Sequence, residues 1–327
     1  MDKGKKEKVL VTGGVGFIGS HIVDLLIVQG YKVVIIDDLS SGKKEDINPQ
    51  AHFYKMNIGD PDLAEVFNYE RPDYVCHQAA QTSVSYSIAH PQLDAQENIM
   101  GMLNLLEVSL KCGIDGFVFA SSANIYGEQK SFPITENAPL SPTSPYGISK
   151  MASELYLDFF YQTHRLNYIS LRYGNVYGPR QDLLGEAGVI AIFMAKMLKG
   201  EIPTIYGDGE CIRDYVYVKD VARACLLSIK NMVELAELKK IRKTDKAFHV
   251  FNIGTGRGIS VNQLYSHLQK AMGFAQKANF GPPRTGDLRK NVLDGHLAEQ
   301  VLKWKAQYGL TDGLAETAQW LKKRGIV

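Results

Sequence analysis

Thr12-Gly13-Gly14-Val15-Gly16-Phe17-Ile18-Gly19 follows the short apolar run Val9–Val11 and opens the stretch Ser20–Gln29, whose Ile22, Val23, Leu25 and Leu26 mark an apolar helical face. Gly13, Gly16 and Gly19 form a GxxGxxG pattern between strand and helix. A chain that must turn tightly, approach an anion closely and pack a helix on a sheet has no room for a β-carbon at those three places. The helix start offers free N–H groups and the positive end of its dipole to phosphate. A second β-branched run, Val33–Ile36, ends at Asp37, eighteen residues beyond Gly19. A carboxylate there accepts hydrogen bonds from both hydroxyls of a ribose and repels a 2′-phosphate, and no Arg follows closely. The pattern indicates NAD rather than NADP.

His52–Lys55, Tyr74–Cys76, Phe117–Phe119 and Ile169–Leu171 read as further strands, with long helices over Leu93–Lys111 and Tyr146–His164. Continuous apolar strands alternating with helices imply an α/β fold with a Rossmann-type, doubly wound parallel sheet covered on both faces. After about Asn175 the alternation weakens and Gly/Pro-rich loops appear, at Gly178-Pro179, Gly207-Asp208-Gly209 and Gly281-Pro282-Pro283. A smaller, interleaved C-terminal substrate-binding domain is expected. Residues 1–178 would hold the dinucleotide, residues 179–327 mainly the substrate. Val216–Ile229 as a helix and Phe248–Ile253 as a strand would return to the sheet, giving returning segments near 216–230 and 248–260.

A net charge of +2 over 327 residues gives no basic field, so nucleic acid is not an implied partner. Met1–Lys8 reads as a solvated tail. The four cysteines, Cys76, Cys112, Cys211 and Cys225, form no CxxC pair and have no His at ligand spacing, which implies reduced thiols and no metal site. No apolar run reaches the ~18–20 residues of a membrane span. A cytoplasmic protein is expected.

Tyr146-Gly147-Ile148-Ser149-Lys150 is a YxxxK element in a helical stretch, which puts both side chains on one face, one turn apart. Free Tyr has a pKa near ~10, and a fixed cation beside it, reinforced by a positive nicotinamide ring, would lower that value and make Tyr146 a base for a substrate hydroxyl. Phe117–Phe119 leads into Ala120-Ser121-Ser122, and a Ser at the carboxyl end of a parallel strand faces the ligand crevice, where its hydroxyl relays a proton.

TGGVGFIG, His77–Val84 (HQAAQTSV), SSANIYG, YGISK and RYGNVYGPRQ resemble the extended short-chain dehydrogenase/reductase family, and within it the UDP-glucose 4-epimerase group, from Val9 to about Trp320. The resemblance implies Ser122, Tyr146 and Lys150 as catalytic residues. It implies Gly13, Gly16, Phe17, Ile18, Gly19, Asp37, Asn57, Ile58, Ala79, Ala80 and Asn98 around NAD, with Tyr146 and Lys150. Asn57 departs from the Asp of many relatives. It further implies a UDP-sugar held by Asn175, Arg213, Arg284, Asp287 and Asn291 with Ser122 and Tyr146; guanidinium forks suit a diphosphate. By the same analogy the two long helices pair across a homodimer interface.

Three reactions share this frame, each beginning with oxidation at the sugar C4. A 4,6-dehydratase carries an Asp-Glu pair just after the Ser/Thr, and a decarboxylase commonly carries a Glu in that loop. Here Ala123-Asn124 stand there, which favours 4-epimerisation. Asn291 lies where relatives gate the sugar pocket, so UDP-glucose/UDP-galactose and N-acetylated sugars both fit, and a UDP-glucuronate 4-epimerase stays open. The reading of another class is an NAD-binding regulatory protein without activity.

Overall fold

The computed structural model describes residues 6–182, 188–242, 249–283 and 288–324, with the backbone alone at 233 and 235–242. The first half runs β1 (Lys8–Thr12), α1 (Phe17–Val28), β2 (Lys32–Asp37), β3 (His52–Lys55), α2 (Leu63–Glu70), β4 (Tyr74–His77), α3 (Val84–Ala89), α4 (Pro91–Ala95), α5 (Gly101–Cys112), β5 (Gly116–Ser122), α6 (Pro145–His164) and β6 (Tyr168–Tyr173). There follow β7 (Asn175–Tyr177), α7 (Val189–Leu198), β8 (Thr204–Tyr206), β9 (Ile212–Tyr217), α8 (Val218–Arg242), β10 (Val250–Ile253), β11 (Gly258–Ser260), α9 (Val261–Met272), β12 (Asn279–Gly281), β13 (Lys290–Asn291), α10 (His296–Val301) and α11 (Leu310–Lys323).

Among the described residues seven strands form one parallel sheet in the order β10-β6-β5-β4-β1-β2-β3. The chain winds one way from β1 and the other way from β4, so a crevice opens at the carboxyl ends of those two strands. Alternation along each strand fills both faces. Val9 and Val11 pack with Ile22 and Leu26 of α1 and Val221 and Cys225 of α8. Leu10 points the other way, into Phe67 of α2, Leu105 of α5 and Leu157 of α6. A third cluster, with Phe193 of α7, Tyr215 of β9, Leu264 of α9 and Leu314 of α11, sits under the smaller sheet β11-β9-β13, to which β7 also pairs.

The structure corrects some bounds. Lys8, expected in a tail, begins β1, and its amine meets the buried Glu70 carboxylate at 2.7 Å. Leu93–Lys111 is not one regular helix: α4 and α5 are joined by a π-helical turn, Gln96–Met100. Val216 belongs to β9, and its helix starts at Val218. The short strands β7, β8, β11, β12 and β13 gave no signal because runs of two or three residues carry too few alternations to read, and the six-residue β9 is broken as an apolar run by Arg213 and Asp214.

Candidate active site

At the carboxyl end of β1 the backbone turns through Gly13, at φ +64. A Cβ on Gly13 would lie 2.6 Å from the Ala79 nitrogen, and one on Gly19 2.0 Å from the Gly13 oxygen. These two approaches explain two of the three glycines. Gly16 is the N-cap of α1, and no acid occupies the helix's first turn. The leading N–H groups of a helix have no partner within it, so this turn suits an anion. Asp37 is buried at the end of β2, where its carboxylate accepts from Val15 N at 2.9 Å and Leu39 N at 2.8 Å. Burial raises its pKa and those N–H groups oppose the rise. A cradle of N–H groups beside a fixed carboxylate fits a dinucleotide: the pyrophosphate on the helix end, the ribose on Asp37.

The other expected cofactor residues line the same edge. Ile58 is buried against Gly101, and Ala79 and Ala80 follow β4. Asn57 has a local reason to be an amide: its Nδ2 donates to Asp38 at 3.2 Å and Glu97 at 3.1 Å, where a carboxylate would add a third negative charge. Asn98, in the π-helical turn, is 4 % exposed. Its Nδ2 meets Gln81 O at 2.9 Å, Asp94 at 3.1 Å and Ser149 at 3.2 Å, so it braces the site from within.

Ser122 ends β5 and Tyr146 and Lys150 sit in the first turns of α6. Ser144 caps that helix by accepting from Gly147 N at 3.1 Å, and Pro145 takes the first position, where a missing N–H costs nothing. A Cβ on Gly147 would lie 2.8 Å from Asn124 O, so the glycine lets α6 close on the loop after β5. Asn124 N in turn donates to Ser122 Oγ at 3.2 Å. The Ser122 hydroxyl acts on the Tyr146 phenol and lowers its pKa. Lys150 Nζ donates to Ala120 O at 2.9 Å and lies 4.9 Å from the Phe119 ring centroid and 5.9 Å from that of Tyr146. Burial pushes Tyr146 up to about 12, against the lowering effect of Ser122, and pushes Lys150 down to about 8. Burial is the largest influence on the phenol here, whereas the lowering expected of Tyr146 joins the Lys150 cation to the positive charge of a nicotinamide ring. His77, stacked on Phe119 and 2.7 Å from Thr12 Oγ1, is pushed down to about 3 by burial and then by Lys150, which keeps it neutral.

β9 gathers the expected sugar-nucleotide residues. Its Arg213 is in register with Asn291 of β13, and its Tyr215 with Asn175 of β7. Parallel strands in register place all four side chains on one face. Asn175 is exposed. Asn291 Oδ1 and the Tyr215 hydroxyl are buried without a hydrogen-bond partner among the described residues, as expected of a lining that meets a polar ligand. Arg284 and Asp287 lie outside the described residues. Two contributors were not foreseen. Tyr215 carries no motif signal beyond its place two residues from Arg213. Asp214, fully buried, accepts from Thr255 N at 2.9 Å and Gly256 N at 3.1 Å, bolting β9 to the chain leaving β10.

The model of the NAD dependent epimerase/dehydratase family matches residues 9–254. The chain belongs to this family. It is 44% identical over 315 residues to a putative UDP-glucose 4-epimerase of Methanocaldococcus jannaschii, covering 96% of this chain and 98% of that one. The crystal structure of a Thermotoga maritima UDP-glucose 4-epimerase with UDP-glucose superposes with a TM-score of 0.89 at 48% identity, over 97% and 99% of the two chains. A UDP-N-acetylglucosamine 4-epimerase of Methanobrevibacter ruminantium M1, in complex with UDP-N-acetylmuramic acid, gives a TM-score of 0.88 at 37% identity, over 98% and 99%. As a member of the family, the protein uses a short 3₁₀ turn, Ala123–Ile125, between Ser122 and the loop that meets α6. That turn holds no carboxylate.

Proposed function

We propose that this protein is an NAD-dependent 4-epimerase of UDP-sugars, acting on UDP-glucose and UDP-galactose and on their 2-acetamido counterparts. Bound NAD would accept the C4 hydride and return it. Tyr146, linked to Ser122, takes the C4 hydroxyl proton and gives it back, while the Lys150 ammonium stabilises the phenolate. Asn175 and Arg213 hold the diphosphate, and Asn291 bounds the sugar. Gly13, Gly16, Phe17, Ile18, Gly19, Asp37, Asn57, Ile58, Ala79, Ala80 and Asn98 form the cofactor side of the site, within an N-terminal lobe ending near residue 178. The observation that carries the reaction type is the Ala123–Ile125 turn, where a dehydratase or decarboxylase needs a carboxylate.

UDP-sugar deuterated at C4 tests it. Product of inverted configuration at C4 that keeps the deuterium supports transient oxidation within one site; loss of the label to water overturns it.

The exposed apolar side chains of the α4–α6 region, Leu93, Met100, Ile148, Leu155 and Phe159, support a homodimer with this face shared. A monomer mass by light scattering contradicts that part. The protein is proposed to work in the cytoplasm, where its free thiols stay reduced.

A further inference from the structure

Asp94 is the fourth residue of the short helix α4, and motif reasoning passed over it. It is 1 % exposed, deeper than the cofactor-side Asp37 at 7 %. Its Oδ1 accepts from two neutral amides, Gln81 Nε2 at 2.8 Å and Asn98 Nδ2 at 3.1 Å. From Asn98 the hydrogen bonds run on to Ser149 Oγ at 3.2 Å and from Ser149 to the Tyr146 carbonyl at 3.0 Å. Ser153, one turn on, donates to Asn98 O at 3.2 Å. The carboxylate is thus tied to the turn of α6 that carries Tyr146 and Lys150. A buried carboxylate is costly to leave without a positive charge to offset it, and the residue that follows Ser149 on α6 is Lys150, a buried ammonium that donates to the neutral Ala120 carbonyl.

We propose that Asp94 is an electrostatic positioning residue, a remote counter-charge that keeps Lys150 protonated and sets the pH at which Tyr146 gains and loses its proton. It touches neither substrate nor cofactor and acts through α6. Both catalytic groups respond to it in the same direction: its charge raises Lys150, against burial, and raises Tyr146, in line with burial. The other ionisable groups around them do not take this role. His77 on β4 is held neutral, Glu97 in the π-helical turn binds Asn57, His90 caps α4 from outside, and Glu154 on α6 is paired with Arg172 at 2.6 Å.

The inference rests on the epimerase reading for its kinetic arm alone. Asp94→Asn keeps the shape and removes the charge. Both limbs of the pH profile of kcat move to lower pH by about one unit, the shift that ~1.4 kcal/mol of lost charge interaction produces. The phenolate absorbance of Tyr146, isolated by subtracting Tyr146→Phe, titrates lower by the same amount, and this reading does not depend on any substrate. Asp94→Glu keeps the charge and leaves both limbs near their wild-type place. Asp94→Ser, smaller and neutral, serves if the Asn variant does not fold. Unmoved limbs and an unmoved phenolate titration in a folded neutral variant, with only kcat reduced, would make Asp94 a mere strut and overturn the proposal. Inactivity of the wild type on every UDP-sugar overturns the epimerase reading, while the phenolate titration still decides the role of Asp94.

Discussion

Replacing Lys150 by Met separates what the site needs from what the fold prefers. The amine is 4 % exposed and its pKa is held at about 8 instead of 10.5, burial being the main cause. That depression corresponds to roughly 3 kcal/mol spent in keeping the ammonium charged inside the protein at neutral pH. Met fills a similar volume and leaves one acceptor, Ala120 O, without its side-chain donor, which gives back about 1 kcal/mol. Nucleotide-free Lys150→Met is therefore expected to unfold about 2 kcal/mol harder than wild type at pH 7, while epimerase activity falls by a factor of ~10²–10⁴. The sign follows from the depressed pKa. Between pH 8 and 10.5 the unfolded chain binds the proton that the folded chain sheds, so wild-type stability rises with pH relative to the variant. The variant's advantage is full below pH 8, is cancelled near pH ~9.5 and turns into a deficit of about 1 kcal/mol above 10.5, where only the lost donor to Ala120 O remains. Urea unfolding of both proteins at intervals from pH 7 to 10.5 measures it. A variant weaker than wild type at pH 7, or an advantage that stays constant to pH 10.5, refutes the reasoning.

Gly19→Ala drives a Cβ into the Gly13 carbonyl, and the backbone there cannot yield cheaply; loss of copurifying NAD and at least ~2 kcal/mol of stability are expected, read by nucleotide release and chemical denaturation. Removing one partner of the buried Arg172–Glu154 pair, as Glu154→Gln or Arg172→Met, costs about 3–5 kcal/mol, and an apolar double replacement recovers much of it; equal losses in single and double variants contradict this. Asn57→Asp sets a third carboxylate against Asp38 and Glu97 and weakens the protein by up to ~1 kcal/mol at low salt, a deficit that shrinks at 1 M salt in thermal melts. Asp37→Ser relaxes the preference for NAD over NADP by at least ~10-fold, measured by fluorescence titration of both cofactors.

Much of the cofactor half was legible because each residue there answers a local demand. Gly13 and Gly19 face backbone atoms that exclude a Cβ, and Asp37 ends a continuous apolar strand. Tyr146 and Lys150 announce themselves by helical spacing. What was not legible depends on residues far apart in the chain. The face shared by Asn175, Arg213, Tyr215 and Asn291 exists only once β9 has paired with β7 and β13. Asp94 resembles any helical acid until the fold buries it beside Asn98. The opposite pushes on Tyr146 and Lys150 come from burial, which spacing does not record.

The most direct test incubates the purified protein, with no added NAD, with UDP-glucose and separately with UDP-N-acetylglucosamine, and reads the configuration at C4 by proton NMR. The account predicts galacto-configured product from both sugars, abolished in Tyr146→Phe. A 4-keto-6-deoxy or decarboxylated product from a nucleotide sugar, with neither substrate inverted at C4, would contradict it.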